Sequence, residues 1–153
     1  MDEKKELLTY LKENRLMSLA TICEKGPWMC TVFYAVSDEF ALYFVSHDGS
    51  EHVSHIRKNN QIALSIGDTN QFIEAKKSGV QMRGTAEILE QGEEHAKALQ
   101  LWLAAVGGYK DAKILEDTKI KVMSGLLLKV TPSRAKYLDE KKFGEYIAKE
   151  IAF

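Results

Sequence analysis

From Leu16 to Ile66 the apolar positions come in short runs separated by turn residues, without the three-to-four-residue spacing of a helix. The runs Leu16–Cys23, Met29–Val36, Phe40–His47 and Gln61–Ile66 are rich in β-branched and aromatic residues, with Gly26-Pro27 and Ser37-Asp38-Glu39 between them. They predict four successive antiparallel strands. A fifth strand is predicted over 79–89, where Val80 and Met82 face one way and Gln81, Arg83, Thr85 and Glu87 the other, so the apolar side points inward. A strand over 125–130 leads into Thr131-Pro132-Ser133-Arg134, which is expected to break a last long strand.

Three segments carry the helical period instead. Residues 2–14 predict a short amphipathic helix with Asp2 as its cap, Leu7, Leu8 and Leu11 on one stripe and Asn14 at the exit, placed to close one end of a barrel. Ser50 is the expected N-cap of a helix of two to three turns ending at Asn59. Residues 92–106 predict a longer helix, with Glu93 and Glu94 in its first turn and Leu99, Trp102, Leu103 and Val106 on one stripe; Gly107-Gly108 stop it. Together these elements predict one mainly β domain with flanking α-helices.

The second and third runs, Cys30–Val36 and Phe40–Val45, carry large apolar groups on both faces, which implies burial on both sides. One face can line an interior, but the other needs a cover. A chain with so few helices is expected to find that cover in a second subunit or a flat ligand.

Composition narrows the function classes. A chain of 153 residues with 45% hydrophobic and 28% charged side chains suits one soluble domain. Its 21 basic and 22 acidic residues leave a formal charge of −1, so no nucleic-acid or anionic-membrane partner is expected. Residues 1–6 lack the apolar stretch of a signal peptide and no run is long enough to cross a bilayer, so cytoplasmic residence is expected. Cys23 and Cys30 read as reduced packing residues, with a redox pair across the turn Glu24–Pro27 as the alternative.

Catalytic motifs are sparse. There is no nucleophile elbow, no evident Cys–His partnership and no glycine-rich phosphate loop, which removes hydrolase and kinase readings. His52 and His55 share a helix face, but no carboxylate or cysteine completes a ligand set at familiar spacing, so no metal is expected. Ser50 suits a helix cap and also a phosphate, because a helix N-terminus offers unpaired N–H groups and the positive end of a dipole. Trp28 and Trp102 read as packing residues, and Gln81 and Arg83 as exposed strand residues or as part of an interface.

The order of elements, with Met17-Ser18-Leu19-Ala20-Thr21, Phe44 to His52, Gly79 to Gly84 and Val130-Thr131-Pro132-Ser133-Arg134, resembles the pyridoxamine 5′-phosphate oxidase-like FMN-binding split-barrel family across nearly the whole chain. The resemblance implies a six- to seven-stranded antiparallel split β-barrel, dimerising with itself and holding FMN at the interface. It puts Ser50 and His52 at the positions that hold the FMN phosphate, Thr31, Val32, Phe33 and Tyr34 along the isoalloxazine, Ser46 and His47 at polar or backbone contacts, and Gly79, Val80 and Gln81 at the ring edge. The oxidase's C-terminal stretch of substrate-recognising Arg and His residues has no counterpart at Lys142–Ile147, so the vitamin B6 reaction is not expected. The implied activity is that of an FMN-dependent oxidoreductase acting on a small molecule. The alternatives are a non-catalytic or stress-related barrel holding haem, a deazaflavin or no cofactor, and a purely structural dimer.

Overall fold

The structure is a computed structural model that describes residues 2–107 and 124–153. The expected stop at Gly108 lies outside them. Seven strands form one antiparallel sheet: β1 (Leu16–Cys23), β2 (Gly26–Val36), β3 (Leu42–Ser46), β4 (Gln61–Gly67), β5 (Ser78–Ile88), β6 (Leu126–Asp139) and β7 (Ala148–Ala152). The spatial order is β3-β2-β1-β4-β5-β6-β7, and a further pairing of β3 with β6 closes the first six strands into a barrel. The described helices are α1 (Glu3–Glu13), α2 (Glu51–Lys58), α3 (Glu93–Val106) and the single turn α4 (Glu140–Phe143).

The barrel is split because β6 divides one of its edges between two partners. Its first half, from Leu126 to Val130, pairs with β3, and its second half, from Arg134 to Leu138, pairs with β7. Its other edge runs along β5 throughout, with a register shift at Arg83/Gly84. Pro132 has no N–H for the ladder, so a bulge rather than a break forms there. Thr131-Pro132-Ser133-Arg134 therefore bends the last strand instead of interrupting it. Gly84 permits the bend: a Cβ at this position would lie 2.2 Å from the carbonyl oxygen of Thr131.

Inward-facing Met17, Leu19, Tyr34, Phe44, Leu64, Val80, Met82, Leu128 and Tyr137 fill the barrel, as their alternation with outward residues requires. Val80 and Met82 point inward as the pattern predicts. α1 buries Leu7 and Leu11 in this core, its first turn capped by the Asp2 carboxylate, which accepts from the N–H groups of Lys4 and Lys5. The Tyr34 hydroxyl donates to the Leu11 carbonyl at 2.7 Å and fixes the helix to β2.

The cover over β3 comes from the chain itself. α3 lies outside the barrel, and its Ala98 packs with Ala41, Tyr43 and Leu127. Trp102 adds a 3.1 Å hydrogen bond from its indole N–H to the Phe33 carbonyl. α3 supplies the cover on that face, while Met29 and Phe33 on the outer face of β2 stay exposed. Of the predicted stripe only Trp102 is fully buried, while Leu99, Leu103 and Val106 are half-buried.

Both cysteines are free. Cys30 sits opposite Leu19 and Cys23 opposite Gly26, which puts them about 13 Å apart along the ladder, well beyond the roughly 7 Å Cα separation a disulfide tolerates. Among the described residues, no helix is long and apolar enough to cross a membrane.

Gly84→Ala is expected to destabilise the fold by about 2 kcal/mol or more, because the methyl meets backbone that cannot yield. Gly67→Ala, with open space around the added carbon, is expected to change stability by less than about 0.5 kcal/mol. Urea unfolding of the two variants provides the check.

Candidate functional site

β3 ends at Ser46, and a tight turn leads into α2. The Ser50 N–H donates to the His47 carbonyl at 3.0 Å, and His47 Nδ1 accepts the Gly49 N–H at 3.0 Å. Ser50 is the N-cap of α2 by backbone conformation, yet its hydroxyl makes no capping hydrogen bond. An uncommitted hydroxyl beside the free N–H groups of a helix start is a set of hydrogen-bond donors of the kind that suits an anion. Of the acidic neighbours, Asp48 is neutralised by Arg57, whose guanidinium reaches it at 2.6 Å, while Glu51 stays exposed. Sequence spacing gave no sign of Arg57, which lies nine positions away on the last turn of α2.

His52 does not face these donors. Its side chain is buried, with Nε2 2.7 Å from Ser46 Oγ. One turn on, His55 Nδ1 lies 2.9 Å from the Oγ1 of fully buried Thr21. Two hydroxyl–imidazole bonds therefore pin α2 to the barrel, and Ser46 and His52 are committed to each other. Burial, and secondarily the charge of His55, hold the His52 pKa below its ordinary value. Among the described residues no group of three or more His, Cys, Asp or Glu side chains could hold a metal.

Along β2 the alternation sorts the remaining candidates. Val32 and Tyr34 point inward, opposite Met17 and Phe44, so only their main-chain atoms can meet a ligand. Thr31 and Phe33 point outward, opposite Ser18 and Leu16, and both are exposed. Tyr34 opposite Phe44 makes the end of β3 level with Val32, so the His47–Ser50 turn emerges beside Thr31. Beyond that level β3 no longer pairs with β2, which leaves main-chain groups of Met29–Thr31 open on that edge. Trp28 lies opposite Thr21 near the strand's start and is 44% exposed, so it is only partly a packing residue.

The candidates of β5 form a second group. Gly79 and Gln81 face outward, and Val80 belongs to the core. Within the chain, β1 and β4 separate them from β2, about 14 Å around the barrel wall at ordinary strand spacing. The structure thus brings together Thr31, Phe33, His47 and Ser50, and holds Gly79 and Gln81 apart from them. Between the groups lies an open apolar stripe on the outer face of β1 and β2, formed by Leu16, Ile22, Met29 and Phe33, which are 44–61% exposed.

A six-stranded antiparallel barrel with a shared closing strand defines the split-barrel class. The sequence model of the family described as pyridoxamine 5′-phosphate oxidase matches residues 3–139, and the chain belongs to that family. A UPF0306 protein of Campylobacter jejuni is 33% identical over 98 residues, covering 63% of this chain and 68% of that protein. A haem-binding protein from Mycobacterium smegmatis superposes with a TM-score of 0.76 at 20% identity, over 97% of this chain and 57% of that one. The chain thus spans less than two thirds of that haem-binding protein. A FAD-binding protein from Mesorhizobium loti superposes with a TM-score of 0.68 at 18% identity, over 88% and 91% of the two chains. At these identities the two structures share the fold with this chain.

The depressed His52 pKa sets a pH dependence. The unfolded chain takes up this proton near pH 6.5, before the folded protein does, so stability is full above that pH and falls as the pH drops below it. Urea midpoints measured from pH 7.5 down to 5.5 are expected to decline less in His52→Gln, whose amide keeps a hydrogen bond to Ser46 without titrating.

Proposed function

We propose that the chain acts as a homodimeric FMN flavoprotein, an oxidoreductase for a small molecule other than the vitamin B6 substrate. The observation that carries this reading is the set of exposed apolar side chains Leu16, Ile22, Met29 and Phe33 on the outer wall of β1 and β2, together with the uncapped Ser50 hydroxyl at the start of α2. Exposed apolar side chains towards both ends of this face, with Ser18 and Thr31 between them, suit a partner surface, and a two-fold pairing would cover both copies at once. The same pairing would carry Gly79 and Gln81 of one protomer towards the β2 edge of the other, joining two groups that lie apart within one chain.

The residues present fit FMN. Its phosphate suits Ser50 and the first N–H groups of α2, with Arg57 restraining Asp48. Its ring suits the outward Thr31 and Phe33 and the open main-chain edge of β2, where donors and acceptors can match the ring's polar atoms. The bound flavin would supply hydride or electron transfer, and the protein would supply binding, orientation and electrostatics. Two free cysteines accord with a reducing cytoplasm.

Titration with FMN followed by visible absorbance tests this reading. Ser50→Ala is expected to weaken binding about tenfold or more, by the loss of a hydrogen bond to a charged group. Met29→Asp with Phe33→Asp is expected to give monomers by sedimentation and to abolish FMN uptake while the circular dichroism spectrum persists. A wild-type protein that is monomeric and takes up no FMN would refute the proposal.

His47 favours a second reading, a haem-binding barrel. Its imidazole is exposed, and a tautomeric shift that moves the proton from Nε2 to Nδ1, releasing the Gly49 N–H, would free Nε2 to ligate iron. Haemin titration of the wild type and of His47→Ala separates the two readings: a Soret shift lost in the variant supports haem.

A further inference from the structure

β2 and β3 pair over three rungs, Tyr34 with Phe44, Ala35 with Tyr43 and Val36 with Leu42. Neither strand ends there. β2 stays paired with β1 through Phe33 and Val32, opposite Leu16 and Met17, and β3 stays paired with β6 through Val45 and Ser46, opposite Leu127 and Leu126. The two strands therefore part as a fork in the barrel wall, each keeping its partner on the far side. The Tyr34 N–H donates to the Arg15 carbonyl on the β1 side at 2.9 Å. Main-chain groups of successive strand residues point to opposite edges, so those of Phe33 face β3, and the next rung of the ladder would join Phe33 to Val45.

A side chain takes the place of that rung. The Phe33 carbonyl accepts from the Trp102 indole N–H at 3.1 Å, and the indole is buried. α3 is fixed against the fork at its other end too. Eight residues before Trp102, about 12 Å along the helix, the Glu94 carboxylate accepts from the Tyr43 hydroxyl at 3.1 Å and from the Lys129 ammonium at 2.6 Å, which ties the first turn to β3 and β6. Between these points Ala98 packs with Ala41, Tyr43 and Leu127. A gap in a packed wall forfeits contacts on both sides, and an indole is large enough to fill one. Beyond the fork, Thr31 and Met29 point their main-chain groups to the same open edge as Phe33.

We propose that Trp102 is a positioning residue that wedges the β2–β3 fork open: its ring fills the gap, and its N–H takes the carbonyl that β3 would otherwise pair. The length of β2 edge left free for a ligand is thereby set from α3. A side chain that the helical stripe marks as packing has this second task. Without the wedge, the Val45 N–H gains the Phe33 carbonyl as its acceptor and β3 pairs further along β2. The fork stands on the contacts of this chain alone. Only its consequence for a bound ring, which would lose part of its main-chain edge, rests on the flavin reading.

Amide hydrogen exchange followed by NMR, on protein without added FMN, tests the wedge. In Trp102→Ala the Val45 amide is expected to exchange about tenfold more slowly than in the wild type, as one added hydrogen bond requires. An NOE between the α-protons of Val32 and Ser46 is expected to appear as well, because closure makes them a closely spaced pair. Truncation of a packing side chain by itself loosens a protein and speeds exchange, so the sign of the change separates positioning from packing. Trp102→Phe, which keeps a ring in the fork, should leave Val45 at the wild-type rate. Trp102→Val, a milder truncation, should show the same slowing and serves if melting curves show that Trp102→Ala does not fold. FMN titration is a separate arm, in which Trp102→Ala should weaken any uptake about tenfold. A wild type that takes up no FMN, with Val45 slowed in the truncations, refutes the flavin reading and leaves the wedge standing. Val45 exchange that is unchanged or faster in the truncations would overturn the wedge, whatever the FMN titration shows.

Discussion

The close approach of the Thr131 carbonyl to Gly84 is the contact on which the architecture turns. A side chain at residue 84 would collide with that carbonyl, and Pro132 beside it has no N–H to keep the ladder regular. Together they bend β6 while it stays attached to β5. Before the bend β6 faces β3 and closes the barrel; after it, the same edge receives β7. Without the bend, one strand could not serve both partners. The β3 terminus and the turn that follows it take their positions from that arrangement.

The architecture was legible where periodicity was strong. Leu16–Cys23 was read to its exact ends, and the alternation of Val80 and Met82 with Gln81 and Arg83 gave the correct faces of β5. β7 was not located by the pattern, although the resemblance allowed a seventh strand: Ala148-Lys149-Glu150-Ile151-Ala152 buries only Ile151 and has too short an apolar signal to register. The long-range choice of α3 as the cover for β3 was also beyond local pattern. An amphipathic stripe says that a helix has a buried face, without saying which strand receives it.

The candidate site was legible as a set of types more than as a geometry. Ser50 was rightly placed at the start of a helix, because capping is a local property. The resemblance set His52 at the phosphate position, and the structure turns its side chain inward against Ser46, a rotation that local sequence does not encode. The buried Ser46 hydroxyl needed a partner, and desolvation favoured satisfying it within the barrel. The same requirement at Thr21 engaged His55. Two imidazoles that look like ligands in the sequence are therefore fasteners, and the start of α2 inherits rigidity from the barrel beneath it.

The seventh strand is short, and Lys149 and Glu150 sit in its middle, with Lys149 tied to Glu3 of α1 at 3.0 Å. Charged, abbreviated margins of this kind discourage another chain from extending a sheet. Apolar side chains, meanwhile, lie open on the broad outer wall of β1 and β2. Growth by adding strands edge to edge is thus opposed at the margin, and any self-association is channelled onto a face. A face-to-face contact related by two-fold symmetry closes on itself, so the same few charged residues that conceal β7 from pattern analysis steer the chain away from open-ended polymers.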